Sequence, residues 1–438
     1  QHGYLPNLVD LDHNVNMHGT FVASGPGIEK EDDPVAGVRA IDLAPTIAFL
    51  MGIPGPQNAR GEILFDIVKG GDKLREVTIL DISDYHGQLV PLSETADSVG
   101  PSFTIGGSAF LKPWFDAYRA EAASNGEEDD LTSITVTSGD AVGATPPISS
   151  FFGDTPTIEM MNLMGFDADG LGNHNFDKGQ SYLRNTLIPL ADFKYLSANV
   201  VDSKGKTPRE WKPSRVFEFE GVTLGLIGFT NEDAPTLVFP NSFDPFHVNP
   251  ALAAVNAEAA RLKNKKVNVI VAMGHLGATA GTLTSPTGPL ITLADGVTNV
   301  DAVIGDHTDL QVLTTRPNGV LVVENRSKGI RFTRVRIVFD KTTKTVVYKT
   351  ADFHKPWNIG VTADPAIQAR IDALNLQLAP ILSIEIGRST RFIPRTDACG
   401  NANGRTCESL VGNVVADSMR LTYGTDFAIT NSGGLRAD

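Results

Sequence analysis

A chain of 438 residues is too long for one compact core and implies two or three domains. With 41% hydrophobic and 20% charged residues it has an ordinary globular composition, and no apolar run approaches the roughly 20 residues that cross a bilayer as a helix. A net charge of −14 argues against a grip on a long polyanion such as DNA, which needs a basic face, but leaves room for a small phosphate ester held through metal ions.

Residues 1–72 read as a first unit. His2-Gly-Tyr4 and Met17-His-Gly-Thr-Phe-Val-Ala-Ser-Gly-Pro-Gly27 lead into an acidic loop from Glu29 to Asp33. An apolar helix is expected over residues 42–51, stopped by Gly52-Ile-Pro-Gly-Pro56. The run is short and broken by Asp42 and Pro45, so it reads as a buried helix. On these residues the stretch resembles the C-terminal end of type I phosphodiesterases of the alkaline phosphatase superfamily. That resemblance implies a zinc-ligand role for the histidine of His-Gly-x-Phe, here His18. The nucleophile and the other ligands of such a site have no counterpart in the sequence, so His18 is expected to be idle.

From about 73 to 355 strands and helices alternate. Val77-Thr-Ile-Leu80 runs into Asp81-Ile-Ser-Asp-Tyr-His-Gly87, and Ile134-Thr-Val-Thr137 runs into Ser138-Gly-Asp140. Glu127-Glu-Asp-Asp130 reads as a solvated loop before the second of these strands. Val222-Thr-Leu-Gly-Leu-Ile-Gly-Phe229 is a further strand, and Asn249-Pro250 caps a helix reaching about Lys265. Val267-Asn-Val-Ile-Val-Ala272 leads into Met273-Gly-His-Leu-Gly277, and Val300-Asp-Ala-Val-Ile304 into Gly305-Asp-His-Thr-Asp309. Val320-Leu-Val-Val323 is followed by a hairpin pairing residues 335–339 with 345–348.

A linker near Pro356 leads to a helix over about 365–378, a second helix over about 409–421 and a strand, Asp426-Phe-Ala-Ile-Thr430, which ends in Asn431-Ser-Gly-Gly-Leu-Arg436. Between the helices lies a polar loop with the only two cysteines, Cys399 and Cys407. Their spacing permits a local disulfide or one half of a metal site. Metal sites want four ligands and no other cysteine is near, so the disulfide is favoured, and with it an oxidising compartment. The chain begins at Gln1 and stops at Asp438 just after a strand, which suggests a piece of a longer, processed or truncated polypeptide.

The chemistry gathers at strand ends. Gly172-Asn-His-Asn-Phe-Asp-Lys-Gly179 places an amide, an imidazole and a carboxylate in a few residues. Asn173 can ligate a hard cation through its amide oxygen, and His174 and Asp177 can form an imidazole–carboxylate pair. Four of the nine histidines, His86, His174, His275 and His307, follow apolar strands beside Gly or Asp. Strand C-termini are where α/β sheets place ligands. Asp84, His86, Asp140, Asn173, His275, His307 and Asp309 together make a mixed nitrogen and oxygen set suited to two divalent cations bridged by one carboxylate, the arrangement that clamps an in-line displacement at phosphorus.

The set Asp84-Tyr-His86, Gly139-Asp140, Gly172-Asn-His-Asn-Phe-Asp177, Gly274-His275 and Gly305-Asp-His307 resembles the calcineurin-like metallophosphoesterases. More narrowly it resembles the 5′-nucleotidase, UDP-sugar hydrolase and 2′,3′-cyclic phosphodiesterase family. Gly106-Gly107, Ser197-Ala-Asn-Val200 and Asn431-Ser-Gly-Gly-Leu-Arg436 add to the likeness. The resemblance implies an α/β fold: a four-layer sandwich of two mixed sheets flanked by helices over residues 73–355, and the start of a C-terminal α/β substrate-binding domain over 356–438. It implies that Asp84, His86, Asp140 and the position of Asp309 hold one metal, that Asp140, Asn173, His275 and His307 hold the other, and that His174, supported by Asp177, stabilises transition-state charge. The cofactors would be two divalent ions, zinc, manganese, magnesium or calcium. Asn431, Gly433 and Gly434 would line a nucleoside pocket, and Arg436 and Arg405 would face the phosphate.

Two positions depart from the family pattern. Asn175 stands where glutamate is common, and Asp309 where histidine or glutamine is common; a third carboxylate would favour harder ions such as Mn²⁺ or Mg²⁺. The aromatic residues that stack the base in the family lie beyond the point where this sequence stops. The implied activity is release of phosphate from nucleotides outside the cytoplasm, in an extracellular, cell-surface or periplasmic setting. The rivals are a cyclic phosphodiesterase, a UDP-sugar hydrolase or a sulfur-ester hydrolase on the same core, and a non-catalytic surface module with a decayed site.

Overall fold

Among the residues that the computed structural model describes (20–30, 35, 37–95, 100–123, 131–402, 404 and 406–435), two six-stranded sheets dominate. His18 and Glu127-Glu-Asp-Asp130 lie outside the described residues. The first sheet is built from β1 (Leu74–Ile82), β2 (Ser133–Thr137), β3 (Ala168–Gly170), β4 (Lys194–Leu196), β11 (Phe332–Asp340) and β12 (Thr345–His354), in the order β12-β11-β1-β2-β3-β4. The second is built from β5 (Ser214–Phe219), β6 (Val222–Thr230), β7 (Val269–His275), β8 (Ala302–Gly305), β9 (Val312–Thr315) and β10 (Leu321–Glu324), in the order β9-β10-β8-β7-β6-β5. Both sheets are mixed. β1 to β4 run parallel and meet the antiparallel β11–β12 hairpin; β6, β7, β8 and β10 run parallel between antiparallel edges β5 and β9.

The central strands are near-continuous apolar runs because both of their faces are covered. Val77, Ile79, Ile134 and Val136 of the first sheet share one core with Leu224, Leu226, Val269, Val271, Met273, Ala302 and Ile304 of the second. The outer face of the second sheet, Ile227, Phe229, Ile270, Ala272 and Val303, packs on helices α3 (Ala251–Asn264) and α4 (Pro289–Gly296). On the outer face of the first sheet, Phe332 sits among Trp114, Phe115 and Tyr118 of α2 (Ser108–Ala123), with ring centroids 6.1, 5.7 and 5.0 Å away. The layers therefore run helix, sheet, sheet, helix.

Contacts divide the chain into two compact units, Gln1–Ile371 and Asp372–Asp438. The expected boundaries at 72 and 355 do not coincide with this division, for a physical reason. The described part of residues 1–72, including α1 (Leu43–Met51), is bound to the β11–β12 hairpin. Tyr348 Oη donates to the Ile53 carbonyl at 2.8 Å, and Gly55 N donates to Thr350 Oγ1 at 2.8 Å. Below them lies a buried ion cluster. Arg334 reaches Glu62 Oε1 at 3.0 Å, Asp352 Oδ1 at 3.3 Å and the carbonyls of Ala59 and Arg60. Arg336 pairs with Glu62 and, at 2.8 Å, with Glu76 Oε1.

In the second unit the disulfide Cys399–Cys407 closes the polar loop, with Cα atoms 5.8 Å apart. Asp397 organises that loop, accepting from the backbone N–H groups of Cys399, Asn401, Thr406 and Cys407 at 2.9–3.1 Å. Helix α5 (Leu410–Tyr423) follows, capped by Ser409, whose hydroxyl accepts from Gly412 N. The strand expected at Asp426-Phe-Ala-Ile-Thr430 is not paired into any sheet: Phe427 and Ile429 are exposed, and no described neighbour supplies the hydrogen bonds that a strand needs. No helix among the described residues is long and apolar enough to cross a membrane.

Truncating Glu62 removes one carboxylate that two buried guanidinium groups share, leaving Arg334 with Asp352 and Arg336 with Glu76 as the remaining charged partners. Glu62→Ala is expected to destabilise the protein by about 3–5 kcal/mol, read as a fall in the urea midpoint.

Candidate metal centre

The inward-facing rows of three strands stay apolar along the core and turn polar at the carboxyl end. Val269, Val271 and Met273 of β7 are continued by His275; Ala302 and Ile304 of β8 by Asp306; Val77 and Ile79 of β1 by Asp81. Beyond these rows the chain turns sharply. Asp84 (φ +39°), His86 (φ +46°), Asp140 (φ +50°) and His307 (φ +86°) all adopt left-handed backbone, at a cost of about 1–2 kcal/mol each for residues with a Cβ. Such strain gathers where side chains must be aimed.

Aimed together they are. His275 Nε2 lies 2.8 Å from Asp140 Oδ2 and 2.9 Å from His307 Nδ1. The other oxygen of Asp140 accepts from His174 N at 2.8 Å. Asp84 Oδ2 accepts from His307 N at 2.8 Å, while its Oδ1 lies 3.5 Å from His86 Nε2. Asp140 and Asp84 belong to the first sheet, and His275 and His307 to the second, so the carboxyl ends of both sheets meet here. Three groups have donor atoms mutually within 4.8 Å: His86, Asp140 and His174; Asp140, His275 and His307; Asp84, His275 and Asp306. Asp140 is common to the first two.

Electrostatics and unsatisfied atoms both fit a cation. Burial alone would raise the Asp140 carboxyl, but the imidazoles of His275, His174 and His86 hold it below its usual range. Burial opposes charge on His275, yet Asp140, Asp306 and Asp84 push its pKa well above normal. The carboxylates thus demand positive charge at this point, and a proton or a metal ion can supply it. Asn173 is buried with its side-chain oxygen lacking any hydrogen-bond partner, which is costly unless a cation takes it. His86 donates from Nδ1 to the Gly143 carbonyl at 2.8 Å, which leaves the Nε2 lone pair available to a cation. A donor set of imidazoles, carboxylates and one amide suits divalent ions of intermediate hardness.

The loop of residues 172–177 is fixed from three sides. Asn175 Oδ1 accepts from Gly172 N at 2.8 Å, so the Asn175 amide staples the turn. Gly172 has no room for a side chain, since a Cβ there would sit 2.1 Å from Asp140 Oδ1. Behind it, Thr230 Oγ1 donates to the Leu171 carbonyl at 2.6 Å. Thr230 is in turn held by Asn199, which takes its N–H at 2.8 Å and donates to its carbonyl at 2.7 Å, and by Ser197 Oγ at 3.0 Å. Ser197-Ala-Asn-Val200 is therefore a clamp between the sheets directly behind the centre. Within the loop, His174 Nδ1 lies 2.8 Å from Asp177 Oδ2, so Nδ1 carries the proton.

Asp84, His86, Asp140, Asn173, His174, Asp177, His275 and His307 stand where the sequence predicts them, at the ends of strands that converge. Asp309 is not brought into any of the three groups. Its carboxylate accepts from Ser327 N at 2.8 Å, faces Arg326 at 4.0 Å and is about half exposed. Among the substrate residues, Asn431 turns its side-chain oxygen on Gly434 N at 2.9 Å and caps a short turn that includes Gly433. Arg405 and Arg436 lie outside the described residues. The sequence points to Asp309 and not to Asp306, and gives no role to Glu324, which accepts from Ala278 N at 2.8 Å and from Thr308 Oγ1 at 2.5 Å, tying together the loops that carry His275 and His307. The available signal was a lone acid ending an apolar strand, Leu321-Val-Val-Glu324.

No protein-family model matches the chain. It is 28% identical over 370 residues to an endonuclease of Bacillus subtilis, covering 82% of this chain and 29% of that protein. It is 29% identical over 401 residues to a cell wall protein of Listeria monocytogenes, covering 83% and 50%. To the mouse 5′-nucleotidase it is 25% identical over 394 residues, covering 83% and 64%. The chain thus spans less than two thirds of the length of these relatives. Among solved structures, a 5′-nucleotidase precursor of Thermus thermophilus superposes with a TM-score of 0.65 at 21% identity, covering 80% of this chain and 67% of that one. The calcineurin-like phosphoesterase YfkN of Bacillus subtilis gives 0.56 at 20% identity, covering 71% and 100%. In sequence the chain is a relative of the 5′-nucleotidases, and its fold is that of the calcineurin-like phosphoesterases.

Proposed function

We propose that the chain is the catalytic part of a metal-dependent phosphoester hydrolase that releases phosphate from 5′-nucleotides outside the cytoplasm. The observation that carries this reading is Asp140. One of its oxygens lies 2.8 Å from His275 Nε2, the other is turned to the loop of His174, and it is the carboxylate common to two donor groups. A carboxylate so shared would serve as a bridging ligand. The setting outside the cytoplasm draws on the Cys399–Cys407 disulfide, which persists in oxidising compartments.

Asp84 and His86 on one side, and Asn173, His275 and His307 on the other, would hold two divalent cations across Asp140. Bound there, such ions supply Lewis acidity toward a phosphoryl oxygen and an attacking water. The protein's own part is orientation and proton handling. Asp177 fixes the His174 tautomer with the proton on Nδ1, so contact with the substrate falls to Nε2. His174 is partly exposed at the mouth of the cluster, where its imidazole would stabilise charge on the phosphoryl group and assist departure of the ribose oxygen. The strained backbone at Asp84, His86, Asp140 and His307 fixes the ligands in place before substrate arrives.

Three outcomes test this reading. AMP hydrolysis is expected to vanish on chelation and to return with Mn²⁺ or Zn²⁺; the same assay run on 2′,3′-cAMP and UDP-glucose separates the related activities, and no turnover of any of the three with any metal would leave a non-catalytic module. His174→Ala is expected to lower kcat by about 10²–10³-fold. Asp177→Asn should then add little in the double variant, because the two side chains act as one unit. Gly172→Ala drives a methyl group into Asp140 and is expected to cost about 10²-fold in kcat/KM with an unchanged far-UV circular dichroism spectrum.

A further inference from the structure

Asp306 directly follows β8 and continues its inward row, Ala302 and Ile304, with a charge in place of a methyl group. It is fully buried. Its two oxygens serve two different loops: Oδ2 accepts from Asp84 N at 3.0 Å, and Oδ1 accepts from His307 N at 2.8 Å. Oδ2 also faces His275 Nδ1 at 3.8 Å, on the side of the ring opposite the nitrogen that meets Asp140. Three candidate ligands from both sheets therefore converge on one carboxylate. Asp309, three residues on, is about half exposed and turned toward Ser327.

We propose that Asp306 is a positioning residue of the metal centre, aligning Asp84, His275 and His307, and that it, rather than Asp309, is the carboxylate through which the loop after β8 serves the site. At 3.8 Å Asp306 Oδ2 is beyond hydrogen-bond reach of His275 Nδ1 and acts on that ring as a nearby buried negative charge, while His275 presents Nε2 toward Asp140 and His307. The two backbone bonds hold Asp84 and His307 in left-handed conformations that neither residue favours by itself. Asparagine has the same shape but only one acceptor oxygen. In Asp306→Asn an NH₂ group must face either the Asp84 or the His307 N–H, and the carboxylate behind His275 is lost.

The inference rests on the metal-dependent reading above, and its test keeps the two apart. Full-length wild type, D306N and D309N are stripped with chelator and titrated with Mn²⁺ by calorimetry; metal-free thermal unfolding is recorded for each. D306N is expected to bind Mn²⁺ about 10–100-fold more weakly. D309N should stay within about threefold of wild type, as for an exposed substitution away from a site. Wild-type affinity in D306N, or a lower metal-free Tm with unchanged affinity, overturns the proposal. So does a tenfold loss in D309N, which keeps the proposal falsifiable should D306N not fold. A wild-type protein that takes up no divalent cation would sink the hydrolase reading and this inference with it.

Discussion

The short contact between the Asp140 carboxylate and His275 Nε2, 2.8 Å across the gap between two sheets, is the interaction on which the rest is arranged. A buried anion cannot persist without positive charge or donors beside it. Asp140 is given both: an imidazole from the second sheet on one oxygen and the backbone N–H of His174 on the other. Each partner is then held in turn. His275 is backed by Asp306, and the loop of His174 by Asn175 and by the clamp of Thr230, Asn199 and Ser197. The carboxyl ends of the strands are polar because this convergence needs them to be, and the sandwich is apolar everywhere else along the same rows.

The cost of the arrangement is visible in the backbone. Four candidate ligands sit at positive φ, where glycine would be at ease and an aspartate or histidine is not. The apolar sandwich over-determines those turns. The shared core of the two sheets, and the helices packed on both outer faces, leave the strand ends no freedom to relax. The candidate ligands therefore sit in short turns directly beyond rigid strands, as a site that must keep several charged groups in register requires.

A second buried polar cluster serves the fold rather than the centre. Arg334 and Arg336 reach from β11 to Glu62 and to carbonyl groups of residues 59–61, and so bind the segment preceding β1 to the hairpin. Burial pushes the Glu62 carboxyl up to about 7 against the pull of both guanidinium groups. A cluster so poorly solvated adds little net stability; what it secures is a single docking position for that segment.

The alternation of apolar runs with Gly-, His- and Asp-bearing turns was enough to place β1, β2, β6, β7, β8 and β10 and the hairpin of β11 and β12, because buried strands and tight turns have local signatures; the three-residue β4 is too short to leave one. His275 and His307 were legible for the same reason. Three things were not. The choice between Asp306 and Asp309 depends on which side chain faces the core as the chain leaves β8, and a one-residue change of parity reverses it. The run Asp426-Phe-Ala-Ile-Thr430 has a strand's composition, yet a strand exists only where a neighbour accepts its hydrogen bonds. The boundary expected at residue 72 ignored Glu62, whose two arginine partners lie more than 270 residues along the chain. Local pattern in the chain marks the residues able to do such chemistry; which of them meet follows from the packing of two sheets, because distant strand ends come together only there.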